Sequence, residues 1–169
     1  MRKKALDIGC GKRKHPNDPD TIWYGCDIRK FPGVDFVCDI GKDRLPFAND
    51  EVSQIHAIHV LEHLYAEQLF HCIDECFRII KPTGKFHIEV PIFGTPAWLI
   101  NPDHKMHWNE GMISFFLPPA DGKDPHGYLK GFWHVEFLEH ENKETLEFNF
   151  YPNKVGIQKY EYKPIVNTT

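Results

Sequence analysis

The stretch Ala5-Leu6-Asp7-Ile8-Gly9-Cys10-Gly11 governs how the rest of the chain is read. A short apolar run ends in an acid and then in two glycines spaced by one residue. This is the pattern of a β-strand emptying into a turn whose backbone passes close to something. Glycine is used there because a Cβ would block the approach or because the turn requires a positive φ. In doubly wound α/β folds, ligands bind at the carboxyl ends of the strands, where such a turn lies.

Working outward, residues 22–28, 34–39 and 53–60 read as further strands, and the first two of these carry an acid at or near the end. All are short and nearly continuous in apolar or β-favouring residues, as buried parallel strands are. From Tyr65 to Ile80 the period changes to helical: Leu69, Cys72, Ile73, Cys76, Phe77 and Ile80 share one face, opposite Glu67, Asp74 and Arg78. Lys81-Pro82-Thr83-Gly84 is expected to stop that helix, and residues 85–90 to form a fifth strand closed by Pro91. A helix between two such strands implies a right-handed parallel crossover.

Residues 92–131 break this order with Pro, Gly and His among aromatics. Within them, residues 110–117 read as a short helix and residues 118–131 as a mobile loop. Trp133, Val135 and Phe137 alternate, as do Leu146, Phe148 and Phe150, which predicts an antiparallel hairpin; residues 155–162 read as one more strand. The expected fold is therefore α/β, a Rossmann-like, mostly parallel sheet with an antiparallel C-terminal hairpin. The links after the first and second strands are lean, about fourteen and about six residues, where parallel crossovers use about a dozen or more and a helix. Either the links are bare loops or the third strand is shifted. Bare links would leave one face with reduced helical cover, open to a second copy, a protein partner or the C-terminal segments.

At 169 residues the chain has the length of one domain. We divide it into a core (4–91), a variable segment (92–131) and C-terminal strands (132–163). With 41% apolar and 26% charged residues, it has the composition of a soluble globular protein. No apolar run is long enough to span a bilayer and no signal-peptide pattern precedes the first strand, so no membrane is expected and the cytoplasm is the default compartment. A net charge of −4 disfavours nucleic acid as a partner. Five cysteines without a Cys-x-x-Cys argue against a disulfide framework. Cys10, Cys26 and Cys38 lie near strand ends, where buried core thiols are the plainer reading and a thiolate metal site the sharper one.

Asp27 follows Gly9 by 18 residues, at the tip of the neighbouring strand. A carboxylate there can accept both hydroxyls of a ribose, as an acid about 20 residues after the glycines does in dinucleotide folds. Asp39 ends the next strand, within reach of a purine amine, with Ile40 beside the ring. The plainer alternative makes both acids caps or solvated strand ends. Lys14 replaces the third glycine of G-x-G-x-x-G, and no good helix follows the turn, so a ligand without phosphates suits it better than NAD or FAD.

At these residues the chain resembles a family. Leu6-Asp7-Ile8-Gly9-Cys10-Gly11 is similar to motif I of class I S-adenosylmethionine-dependent methyltransferases, in particular their small type 11 branch. Tyr24-Gly25-Cys26-Asp27-Ile28, Val37-Cys38-Asp39-Ile40, Leu45-Pro46-Phe47, His59-Val60-Leu61-Glu62-His63-Leu64, Glu75 to Gly84 and Val90-Pro91 follow in the family's order. Asn101-Pro102-Asp103-His104-Lys105 is similar to an Asp-Pro-x-His-Lys string of small members. The resemblance covers about residues 4–117. It departs at Arg13, where motif I usually has its third glycine, and in the helix that normally follows.

The resemblance implies S-adenosylmethionine as cofactor, with Gly9 and Gly11 admitting its methionine part and Asp7 ordering their loop. It implies Asp27 on the ribose, Asp39 and Ile40 at the adenine, and His59 facing the sulfonium. The expected activity is methyl transfer to an unidentified acceptor; the alternative is a non-catalytic binding or assembly subunit of the same fold. His59 is the candidate catalytic residue, with His63, His104 and His107 as further candidates. The spacing of these four histidines fits no helical zinc motif, and no metal is expected. The chain begins about three residues before its first strand, so acceptor recognition is expected from residues 92–131 or from a second protein. The aromatics Phe93, Trp98, Trp108, Phe115, Phe116 and Tyr128 either line that pocket or cover the sheet edge.

Overall fold

The computed structural model describes residues 2–119, 127–138 and 144–154. Seven strands form one sheet: β1 (Lys3–Ile8), β2 (Thr21–Asp27), β3 (Phe36–Val37), β4 (Val52–Ile58), β5 (Ile80–Pro91), β6 (Trp133–Leu138) and β7 (Thr145–Pro152). Their order across the sheet is β3-β2-β1-β4-β5-β7-β6. The β1–β2, β1–β4, β2–β3 and β4–β5 pairs are parallel, whereas β7 runs antiparallel to both β5 and β6. The mostly parallel sheet with its antiparallel C-terminal hairpin is the expected fold. The strand expected at 155–162 and part of the loop expected at 118–131 lie outside the described residues.

Register sorts the side chains onto two unlike faces. Leu6 pairs with Tyr24 and Ile55, Ile55 with Phe86, and Phe86 with Phe150, so all of them project to one side. There they join the buried cluster that includes Leu69, Cys72, Ile73, Cys76 and Ile79 of α1 (Ala66–Ile79). The spacing of those five residues is the 3.6-residue period of an apolar stripe. Gln68 starts the helix by accepting the Tyr65 N–H at 3.0 Å. Near the other end, Arg78 donates to the carbonyls of Leu45 (3.0 Å) and Phe47 (2.7 Å) while pairing with Glu75 at 2.7 Å. That pair holds the β3–β4 link against the helix.

The opposite face presents Trp23, Gln54, His56, Lys85, His87, Asn149 and Glu136 in register. Among the described residues no long helix covers it. The β1–β2 link is a bare loop that takes the helix's place: His15 stacks on Trp23 with centroids 4.0 Å apart, and Asn17 accepts the Trp23 N–H at 2.7 Å. Polar side chains satisfy one another farther along. His87 meets Asn149 at 3.2 Å, and Asn149 and Tyr151 both donate to Glu136, at 3.0 and 2.7 Å.

Two sequence expectations change. The third strand shrinks to two residues because its flanks turn away. The Asp35 carboxylate accepts the Gly25 N–H at 2.8 Å, and the Asp39 N–H goes to Asp43 at 2.8 Å. Lys81–Gly84 does not separate helix from strand. Ile80 already pairs with Val52 and is fully buried, so α1 passes directly into β5, with a bulge before the Gln54–Lys85 pair. Gly84 fits inside that bulge because a Cβ would lie 2.5 Å from Ile80 Cγ1.

Candidate functional site

The carboxyl ends of the parallel strands converge on a cleft of about 540 Å³, a volume in the range of small-molecule sites. Gly9, Asp27, Asp39 and Ile40 line one side; His59, Val60, His63 and Lys105 line the other. The two sides meet at Gly9, whose φ is +65° and whose missing Cβ would lie 2.3 Å from Val60 Cγ2.

On the first side the acids are held by backbone amides. Asp27 is buried, its Oδ2 accepting the Gly11 N–H at 2.9 Å and its Oδ1 the Arg29 N–H at 2.9 Å. Each carboxylate oxygen retains acceptor capacity for a further donor. Gly11, with φ +53° and nothing within 4 Å of an added Cβ, acts through that N–H and sits behind the cleft wall. Asp7 also sits behind the wall, buried, accepting the His15 N–H at 2.7 Å. Burial pushes its carboxyl up, and the His15 contact offsets part of the rise. Asp39 accepts from the Gly41 N–H at 3.0 Å and pairs with Lys42 at 2.9 Å, which holds its carboxyl below the usual range.

On the second side the site is built from side chains. His59 directly follows β4 with φ +51°, a left-handed conformation that a non-glycine residue adopts at a cost and that concentrates at functional sites. Its Nδ1 lies 3.5 Å from Glu62 Oε1 and its Nε2 3.1 Å from Glu89 Oε1. Glu62 beside it raises the His59 pKa above its ordinary value. Glu62 follows on a single 3-10 turn, Leu61–His63. Its backbone carbonyl accepts the N–H groups of Lys105 (2.8 Å) and Met106 (3.0 Å), which brings the 101–106 segment back onto β4 and places His104 beside it. His107 points elsewhere and packs on Phe93 at 4.1 Å.

The aromatics of the variable segment divide. Trp108 and Phe116 are fully buried core, whereas Phe93, Phe115 and Tyr128 remain exposed. The thiols of Cys10, Cys26 and Cys38 are buried, and burial followed by Asp7 pushes Cys10 up to about 11. They pack as core. The residue that sequence reasoning passed over is Glu62: it stood inside a quoted string, but no local spacing announces a partner 42 positions on.

A family model described as a methyltransferase domain matches residues 6–88. A methyltransferase domain thus occupies nearly half of the chain. The methyl donor of such domains is S-adenosylmethionine, and the seven-stranded sheet of this chain has their Rossmann-like fold. Among solved structures, a SAM-dependent methyltransferase from Archaeoglobus fulgidus is similar at 16% identity, with 88% of this chain and 86% of that chain covered and a TM-score of 0.62. A TehB-like SAM-dependent methyltransferase from Corynebacterium glutamicum shares 17% identity over 90% of this chain and 82% of its own, with a TM-score of 0.58. A chain in the complex between the Haloferax volcanii Trm112 methyltransferase activator and a methyltransferase shares 14% identity, with 88% and 82% covered and a TM-score of 0.56. No curated protein matches the methyltransferase by sequence. Among its described residues, no helix is long and apolar enough to cross a membrane.

Proposed function

We propose that this chain transfers the methyl group of S-adenosylmethionine to an acceptor that enters between the 92–119 segment and the carboxyl ends of β4 and β5. The observation that carries the reading is the single cleft onto which Gly9, Asp27, Asp39, Ile40 and His59 all face. When bound, the cofactor supplies a methyl group made electrophilic by its sulfonium. Gly9 leaves room for the methionine part, Asp27 accepts from the ribose hydroxyls, and Asp39 with Ile40 receives the adenine. Asp7 and Gly11 act from behind, the first by ordering the 9–15 loop and the second by fixing the Asp27 carboxylate. Holding donor and acceptor in line supplies most of the acceleration in such a displacement.

His59 holds Nε2 at 3.1 Å from Glu89 Oε1 and turns Nδ1 toward Glu62 at 3.5 Å, so its ring lies between two carboxylates. That suits it to orienting an electron-rich acceptor better than to abstracting a proton. Calorimetric titration with S-adenosylhomocysteine tests the pocket. Binding by the wild-type chain and a loss of at least about 100-fold in Asp27→Ala are expected, on the scale of two lost hydrogen bonds to a charged group. Absence of binding in the wild type rejects the reading.

The sheet face that no long helix covers among the described residues favours a second reading, a binding or assembly subunit that docks a protein partner or a second copy there. The activator complex among the similar structures is in keeping with a protein partner. Labelled methyl donor offered with small molecules, proteins and RNA separates the two, since transfer to none of them despite cofactor binding favours the subunit.

A further inference from the structure

The second side of the cleft holds an arrangement that methyl transfer does not require. The Glu62 side chain is 1% exposed, and neither of its carboxylate oxygens has a hydrogen-bond partner. A buried carboxylate without donors is destabilising by several kcal/mol unless a cation stands beside it. The nearest groups are imidazoles. His59 Nδ1, at 3.5 Å, belongs to a half-exposed ring and lies beyond a well-formed hydrogen bond. His104 is 6% exposed, with Nε2 at 3.8 Å from Glu62 Oε1.

The tautomer of His104 makes the contact more telling. Its Nδ1 lies 2.8 Å from the Trp98 carbonyl, which can only accept, so that nitrogen carries the proton. In the neutral ring, Nε2 then aims a lone pair at the carboxylate. His63 repeats the pattern: its Nδ1 faces the Asp103 carbonyl and carboxylate, both at 3.3 Å, leaving Nε2 as the remaining lone pair. Glu62, His63 and His104 each offer one ligand atom, and the three atoms lie within 4.8 Å of one another. One carboxylate and two imidazoles thus bring three ligand atoms together. A ring N–H tied to a carbonyl or carboxylate is also how metal-binding histidines are oriented by their surroundings.

We propose that Glu62, His63 and His104 form a binding site for one divalent transition-metal ion at the edge of the cofactor cleft. Two imidazoles and one carboxylate are the ligand set of zinc and non-haem iron sites with open positions, and they favour first-row transition ions over magnesium or calcium. Ligand bonds of about 2.0–2.2 Å would draw the three atoms together by roughly 1 Å. His63 lines the cleft, so the open positions of such an ion face the space an acceptor would occupy. The site stands independently of methyl transfer.

The test uses the full chain, stripped with a chelator, dialysed, and titrated with Co2+ and Zn2+ without cofactor. One Co2+ per chain is expected, with a visible absorption band. Zn2+ should raise Tm by about 5 °C or more when free ion exceeds Kd about a hundredfold. Both signals should vanish in Glu62→Gln, which keeps the shape and removes the buried charge, and in His63→Gln at the more exposed ligand. Failure of the wild type to bind stoichiometrically, or undiminished binding in both variants, overturns the site. So does isotope-edited infrared evidence that metal-free Glu62 is a neutral acid and that no ion displaces its proton. S-adenosylhomocysteine affinity measured on the same proteins keeps the two readings apart: metal binding without cofactor binding rejects the methyl-transfer proposal alone.

Discussion

Two buried carboxylates, Asp27 in the cleft wall and Glu62 behind His59 and His63 on the other side, have surroundings that could hardly differ more. Asp27 accepts two backbone N–H groups, from Gly11 and Arg29. Glu62 accepts none and is surrounded by imidazoles. Backbone amides are fixed dipoles that stabilise the anion whether or not a ligand is present. Imidazoles can lose or gain protons, so they stabilise the anion only conditionally. The Asp27 side is complete without a ligand, whereas the Glu62 side calls for a cation.

Three substitutions sharpen that contrast. The largest effect is expected at Gly9, where the sides meet. Gly9→Ala combines a positive φ with a 2.3 Å clash against Val60, and should lower unfolding stability by about 3 kcal/mol in urea titrations. A loss below about 1 kcal/mol would mean that Val60 yields and the sides are not braced there. Next comes the isosteric pair measured in chelator. Asp27→Asn should destabilise by about 2 kcal/mol through two weakened charge-assisted bonds. Glu62→Gln should be neutral or stabilising by about 1 kcal/mol. Equal losses would remove the distinction between the acids.

The smallest effect lies outside the cleft, at a half-buried group that can discard its charge. His56 has an unpartnered Nδ1, and burial first, then His87 and His15, lowers its pKa to about 3. The unfolded imidazole takes up a proton near pH 6.5 that the folded one refuses, so this contribution is complete above that value and declines toward about pH 3. From pH 7.5 to pH 5 the wild type should lose about 1 kcal/mol more than His56→Gln, after allowance for solvent screening. Identical pH slopes would place His56 in contact with water.

What the sequence disclosed follows the same division. Apolar runs closing on Asp7 and Asp27 are local signals, and their strands form where they were expected, whereas the third strand keeps only Phe36–Val37 of the run to Asp39. The direct passage from α1 into β5 was hidden because Pro82 and Gly84 carry the composition of a stop, although buried Ile80 commits the chain to the sheet at once. His59 gave no sign of its left-handed backbone. Glu62 and His104 are brought together by two N–H groups reaching one carbonyl, a long-range event without a periodic trace.

The bare links also determine what can be observed in solution. Of the helices in the described residues, α1 has fourteen residues, while α2 (Pro96–Leu99) and α3 (Glu110–Ile113) have four each. Among the described residues, the helical band of a circular dichroism spectrum therefore comes chiefly from one element. That element packs on the apolar face and clamps the β3–β4 link through Arg78. In most α/β proteins the signal averages over many crossovers; in the described part of this chain it follows the docking of a single long helix.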